Sequence, residues 1–85
     1  MVSFNYTITD EVGIHARPAS LLVKEAKNFT DEIKISCNGK TVDPKKLMAL
    51  LSLGAKQGQE VVVEVTGENE VQTAKKLEEY FKENL

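Results

Sequence analysis

The chain has 85 residues, of which 41% are hydrophobic and 28% charged, and its formal net charge is −2. This length and composition predict one folded domain over residues 1–85, and the small negative charge gives no general attraction to nucleic acids or anionic membranes. No apolar run approaches the roughly 20 residues that span a bilayer, and the first residues lack a secretion-signal pattern. The single cysteine cannot form an internal disulfide. Together these features lead us to expect a cytoplasmic protein.

The first predicted elements are a strand and a helix. Apolar and polar residues alternate over residues 2–8, which predicts a strand with one buried face. Apolar residues then recur at helical spacing over residues 16–28, which predicts a helix with Pro18 in its first turn, where the missing N–H breaks no intrahelical bond. Between the two lies His15, the only histidine of the chain. The histidine is therefore expected at the N-terminal end of the helix.

A hairpin and a second, short helix follow. The alternation over residues 33–37 predicts a second strand, Asn38-Gly39 is a favoured two-residue turn, and residues 40–42 return as the third strand. Asp43-Pro44 predicts the start of the short helix, with the aspartate as N-cap and the proline at the first helical position.

Gly54 marks the expected end of the short helix, and a fourth strand and a long helix complete the chain. The β-branched run over residues 61–65 predicts the strand. Asn69, followed three residues later by Gln72, predicts a capped start of the last helix. The apolar stripe of this helix is expected at Val71, Ala74, Leu77 and Phe81. The order β-α-β-β-α-β-α predicts an α/β two-layer sandwich (α+β), with a four-stranded, mostly antiparallel sheet and three helices on one side.

The segment Gly13-Ile14-His15-Ala16-Arg17-Pro18-Ala19 carries the predicted chemistry. The N-terminus of a helix offers unpaired N–H groups and a partial positive charge, which suit a phosphate or another anion. Arg17 adds a permanent cation with forked donors. Both features disfavour a protonated imidazole, so we expect His15 to act as a neutral nucleophile that carries a phosphoryl group, with Ala16 in the phosphate-binding turn. The alternative is an ordinary capping or surface histidine.

This segment closely resembles the active-site segment of the HPr family, the histidine-containing phosphocarriers of the bacterial sugar phosphotransferase system. Residues 38–54 are similar to the second signature of the family. The resemblance implies an HPr-like architecture, phosphorylation of His15 at Nδ1 by phosphorylated enzyme I, which draws the group from phosphoenolpyruvate, and transfer to a histidine of an enzyme IIA domain. It implies a carrier that is not a self-sufficient enzyme and needs no cofactor or metal, and we expect a monomer.

A partner surface is predicted beside His15. The short helix is apolar over more than one stripe, which indicates either deep burial or a docking surface. The resemblance implies that Leu47, Met48 and Leu51 lie beside the histidine and contact both the donor and the acceptor of the phosphoryl group. Lys24 and Lys27, with Arg17, are expected to add a basic rim for acidic partners. Ser20 is also assigned to the partner surface. For the lysines, the alternative is an ordinary solvated helix face.

Lys46 stands where many members of the family have a serine that a dedicated kinase phosphorylates. Lysine cannot accept that phosphate, and its charge does not mimic phosphoserine, so we expect no such regulation. Two other hypotheses remain open. One is a regulatory binding module that uses the same surface, and the other is a carrier in the nitrogen-linked branch of the phosphotransferase system.

Overall fold

A computed structural model describes residues 1–11, 13–14 and 16–85. Along this part of the chain the helices and strands follow the predicted order, and their bounds are β1 (Val2–Thr7), α1 (Ala16–Ala26), β2 (Glu32–Cys37), β3 (Lys40–Val42), α2 (Leu47–Ser52), β4 (Glu60–Thr66) and α3 (Glu70–Asn84).

The four strands form one sheet in the order β1-β4-β2-β3, and all three pairings are antiparallel. The prediction of a mostly antiparallel sheet is confirmed. The strand order, which hydrophobic patterning left open, places β4 between β1 and β2 and leaves β1 and β3 at the edges.

The core lies on one face of the sheet. Phe4, Val63 and Ile35 are neighbours in the register of β1, β4 and β2 and point to this face. Phe81 of α3 is fully buried against it and makes edge-to-face contacts with Phe4 and Tyr6, at centroid distances of 5.8 and 5.6 Å. Since the intervening strand residues are polar or less buried, the opposite face stays open to solvent and the fold has two layers.

The start of α2 differs from the prediction. The Asp43 side chain does accept a hydrogen bond, from the Lys45 N–H at 2.9 Å, but this bond closes a turn that precedes the helix. Lys46 is extended, with φ −114° and ψ 113°, and separates the turn from α2, which begins at Leu47. Pro44 is fully buried, so it anchors the turn against the core and does not open the helix.

The start of α3 is capped by a residue distant in sequence. Asn69 is the N-cap residue but makes no side-chain cap hydrogen bond. The carboxylate of the buried Asp31 accepts the Asn69 N–H at 3.1 Å and the Thr73 hydroxyl at 2.7 Å. The predicted pairing of Asn69 with Gln72 is therefore wrong, and so is the place of Val71 in the apolar stripe, because 67% of Val71 is exposed. The buried residues of α3 are Thr73, Ala74, Leu77 and Phe81.

Candidate functional site

His15, the predicted nucleophile, lies outside the described residues, but the residues on both sides of it are described. Ile14 is buried and donates its N–H to the Ala55 carbonyl at 3.0 Å. Ahead of it, the Gly13 N–H donates to the Asp10 carbonyl at 3.0 Å. Ala16 is the first residue of α1. The segment that carries the histidine is thus attached to the core on one side and to a helix on the other.

The support beneath this segment is the stretch 55–59, which runs from the end of α2 to β4. The Ile8 N–H donates to the Gln59 carbonyl and the Gly58 N–H donates to the Ile8 carbonyl, both at 2.9 Å. The Gln57 side-chain amide donates to the Thr9 carbonyl at 3.2 Å. These bonds continue the pairing of β1 with β4 and hold the two loops together.

Leu85 forms a second support, which hydrophobic patterning did not predict. Its side chain is buried, and its carbonyl oxygen accepts the N–H groups of Thr9 and Asp10 at 2.6 and 2.8 Å. The Thr9 hydroxyl donates to the same oxygen at 3.0 Å. Because these bonds depend on backbone groups brought together by the fold, only the apolar character of Leu85 could have signalled them.

The first turn of α1 is suited to bind an anion. Its leading N–H groups have no partner within an α-helix, Pro18 has no N–H, and the turn contains no acidic residue. Ala16 and Arg17 are exposed, whereas Pro18 and Ala19 are buried and fix the helix against the core. Arg17 forms no salt bridge with any residue that the structure describes. Its exposed side chain lies two residues along the chain from position 15.

The predicted partner surface is brought together by the packing of α1 against α2. Met48 is 77% exposed and Leu47 is 37% exposed, whereas Leu50 of the same helix is fully buried and Leu51 is half-buried. The interpretation of deep burial thus holds for Leu50, whereas docking through the exposed residues stays a prediction. Part of α2 belongs to the core, and part of it is an exposed apolar surface.

Leu21 is a further exposed apolar residue, and it was not predicted. It lies on α1, is 47% exposed and lines a shallow cleft with Asp10, Arg17, Pro18 and Asn84. A signal was present in the sequence, since Leu21 falls between the positions of the buried helical stripe.

The lysines near the site divide into two groups. Lys45 donates to the Asp31 carbonyl at 3.0 Å and Lys40 donates to the Ser52 carbonyl at 3.1 Å, so these two hold elements together. Lys24 and Lys27 are exposed and, like the exposed Ser20, carry no contact with an acidic side chain within the described chain. Lys46 is also exposed, at the N-cap of α2.

The described residues offer no group of three or more histidine, cysteine, aspartate or glutamate side chains that could hold a metal ion. Burial raises the pKa of the Cys37 thiol, which identifies it as a residue of the core. In the described part of the chain no helix has the length and apolarity needed to cross a bilayer.

Comparison with known proteins agrees with the geometry. Residues 2–83 match the family model of the PTS HPr component phosphorylation site, where PTS denotes the phosphotransferase system. A histidine-containing phosphocarrier protein of Mycoplasma is 34% identical, with a TM-score of 0.92 over 96% of this chain and 93% of the other. The phosphocarrier protein HPr of Bacillus anthracis is 31% identical, with a TM-score of 0.87 over 94% and 95% of the two chains.

Crh, the catabolite repression HPr of Bacillus subtilis, is 36% identical, with a TM-score of 0.77 over 100% of this chain and 98% of the other. That protein was solved as a domain-swapped dimer. For the present chain the monomeric state stays a prediction. The HPr-like open-faced sandwich predicted from the sequence is confirmed by these matches.

Proposed function

Because the chain belongs to the PTS HPr family of phosphocarriers, we propose that His15 accepts a phosphoryl group from phosphorylated enzyme I and donates it to a histidine of an enzyme IIA domain. The observation that carries this proposal is the match to the phosphorylation-site family over residues 2–83, in a chain whose only histidine precedes the first turn of α1.

The transfer needs little chemical machinery in the carrier. Nδ1 of a neutral His15 imidazole attacks phosphorus, and the bond between phosphorus and the nitrogen of the donor histidine breaks as the new one forms. The same exchange in reverse order passes the group to the acceptor. Both steps depend on positioning and on stabilisation of charge, which the docked partners and this site supply together.

Arg17 and the first turn of α1 stabilise the phosphorylated form. A phosphoryl group adds close to two negative charges, and a helix start with unpaired N–H groups, no acidic residue and an exposed arginine favours such a charge. A helix terminus contributes only about 0.3–1 kcal/mol at an exposed position. A weak hold suits a carrier, because a group that is bound too firmly would not be passed on.

Docking is assigned to the exposed apolar residues of α2, to Lys24 of α1 and to Lys27, which follows α1. Met48 and Leu47 offer apolar area beside the site, and the flexible methionine side chain adapts to more than one partner. Lys24 and Lys27 favour partners with acidic surfaces. A carrier needs such a surface because its donor and its acceptor must use it in turn.

The test is the intact mass of the protein after incubation with phosphoenolpyruvate and purified enzyme I, beside the variant His15→Ala. We expect one acid-labile phosphoryl adduct on the wild type and none on the variant, with both proteins folded. A control HPr shows that the enzyme I is active. If the control is charged and this chain is not, the protein is instead a regulatory binding module that keeps the motif.

Lys46 leads us to propose that the chain escapes control by an HPr-directed serine kinase. The position is exposed and its side chain makes no cap hydrogen bond, so a serine there would be accessible. Wild type and Lys46→Ser are incubated with an active kinase of this class. We expect phosphate on the serine variant alone, and phosphate on Ser52 or Thr41 of the wild type would contradict the proposal.

A further inference from the structure

We propose that Gly13 is a positioning residue for phosphoryl transfer, because the absence of a side chain lets the segment ahead of His15 rest directly on the backbone of Ala55 and Lys56. This inference depends on the proposed role of His15. It concerns how the histidine is held in the docked complex, and it rests on a buried residue.

The contact of Gly13 is with backbone atoms. Gly13 is buried and has φ +77°, and a Cβ built on it would collide with the Ala55 carbonyl oxygen and approach the Lys56 Cα to 2.8 Å. Backbone atoms cannot rotate away as the end of a side chain can. The next residue, Ile14, donates its N–H to the same Ala55 carbonyl at 3.0 Å. Any side chain at position 13 therefore pushes against the acceptor of that bond.

The supporting segment is held by burial and by hydrogen bonds of its own. Ala55 is 2% exposed, and the Lys56 N–H donates to Gln59 Oε1 at 2.8 Å. The Gln59 carbonyl accepts the Ile8 N–H at 2.9 Å. Because the support is bonded to Ile8, the residue that follows β1, we expect a clash to displace the segment that leads into His15 and to leave the stretch 55–59 in place.

Other glycines of the chain separate this contact from simple backbone strain. Gly39 has φ +80°, close to the value at Gly13, yet a Cβ built there meets nothing within 4 Å. Gly67 would meet the side chain of Asp31, not backbone. Gly39→Ala thus carries the same cost of a positive φ in a hairpin turn and none of the collision. It is the matched control for Gly13→Ala.

The expected effect is on the chemical step. A misplacement of about 1 Å in a reacting group costs up to about 100-fold in rate. The exposed side chains of Met48, Leu47 and Lys24 lie on other segments, so docking of enzyme I is left intact. Gly13→Ala should therefore lower kcat for phosphorylation by enzyme I about 10- to 100-fold, with KM of the carrier nearly unchanged.

Three proteins are compared by rapid-quench phosphorylation with enzyme I and phosphoenolpyruvate: wild type, Gly13→Ala and Gly39→Ala. Circular dichroism and urea unfolding establish that each is folded. We expect the loss of kcat in Gly13→Ala alone. An unchanged kcat in Gly13→Ala, or an equal loss in Gly39→Ala, would overturn the proposal.

A fourth variant, Gln59→Ala, tests the support from the other side and decides the matter if Gly13→Ala does not fold. It removes the bond to the Lys56 N–H and introduces no clash. We expect a smaller loss of kcat, again with KM unchanged, and an unaltered kcat would contradict the role of the support.

Heteronuclear NMR of the ring of His15 separates this inference from the proposed function. Because the chain has one histidine, its ring signals are assigned without ambiguity. We expect them to move in Gly13→Ala and Gln59→Ala and to remain in place in Gly39→Ala. If enzyme I does not phosphorylate the wild type, the carrier function is rejected. If the ring signals of His15 stay in place in Gln59→Ala, only the positioning role is rejected.

Discussion

The helices α2 and α3 both follow a polar turn, yet they are held in different ways. α2 has six residues, begins after an extended Lys46 without a side-chain cap, and is fastened at its other end by the Lys40 ammonium on the Ser52 carbonyl. α3 has 15 residues, and its start is held by the buried carboxylate of Asp31. Leu50 fixes the short helix to the core, whereas α3 buries a row of four side chains.

This difference divides stability and binding between two parts of the molecule. A short helix with one fully buried leucine can leave residues such as Leu47 and Met48 exposed, and Met48 is the most exposed large hydrophobic side chain of the described chain. The buried side chains of α3 pack against the sheet, and its lysine side chains are exposed to solvent. Substitutions in the surface proposed to bind partners should therefore leave the fold intact.

Asp31→Ala is expected to lower the free energy of unfolding the most, and it tests whether α3 is held by its cap. It removes the acceptor of the Thr73 hydroxyl and of the Asn69 N–H, and Thr73 is then left buried and unpaired. Hydrogen bonds to a charged group contribute about 1.5–3 kcal/mol, so we expect a loss of about 2 kcal/mol in the free energy of unfolding, measured in urea. Thr73→Val, which removes one of the two donors, should cost about half as much.

Asp31→Ala should leave docking untouched, since α2 does not depend on the cap of α3. KM of the carrier for enzyme I is measured on the folded variant. A destabilisation below about 0.5 kcal/mol, the range of an ordinary surface substitution, would mean that α3 is held by its apolar row alone. A raised KM would mean that the two helices are not independent.

The Asp31 cap marks where prediction from the sequence ends. The elements themselves follow from alternation, helical spacing and turn residues, which are local signals, and they were predicted in the correct order. Asp31 caps a helix whose N-cap residue, Asn69, lies 38 residues further along the chain. No local sequence pattern predicts a contact between residues so far apart. The capping role was therefore assigned to Asn69 and Gln72, whereas the carboxylate of Asp31 performs it.

The candidate site was predictable to a similar extent. The exposed Met48 follows from an excess of apolar residues on a short helix, and the resemblance to a known motif pointed to Arg17. The contact of Gly13 with the Ala55 backbone could not be predicted, because it depends on how closely two loops approach across the fold. Turn residues indicate which conformations a segment can adopt, but they do not identify the backbone it will touch.

Met48→Glu is the smallest change in stability that we predict and the most direct test of the binding surface. Because 77% of Met48 is exposed, the substitution should alter the free energy of unfolding by no more than about 0.5 kcal/mol. The carboxylate removes apolar contact area and repels an acidic partner. We therefore expect KM for enzyme I to rise about ten-fold, which corresponds to about 1.4 kcal/mol.

Val71→Glu supplies the matched control, because Val71 is an apolar residue of α3 with 67% exposure and takes the same new charge. It should leave both KM and the urea midpoint near the wild-type values. If Met48→Glu unfolds the domain, Met48 belongs to the core in solution and the docking surface is misassigned. If both variants raise KM equally, the added charge is responsible, and docking is not located on α2. A ten-fold change confined to Met48→Glu would locate docking on the short helix.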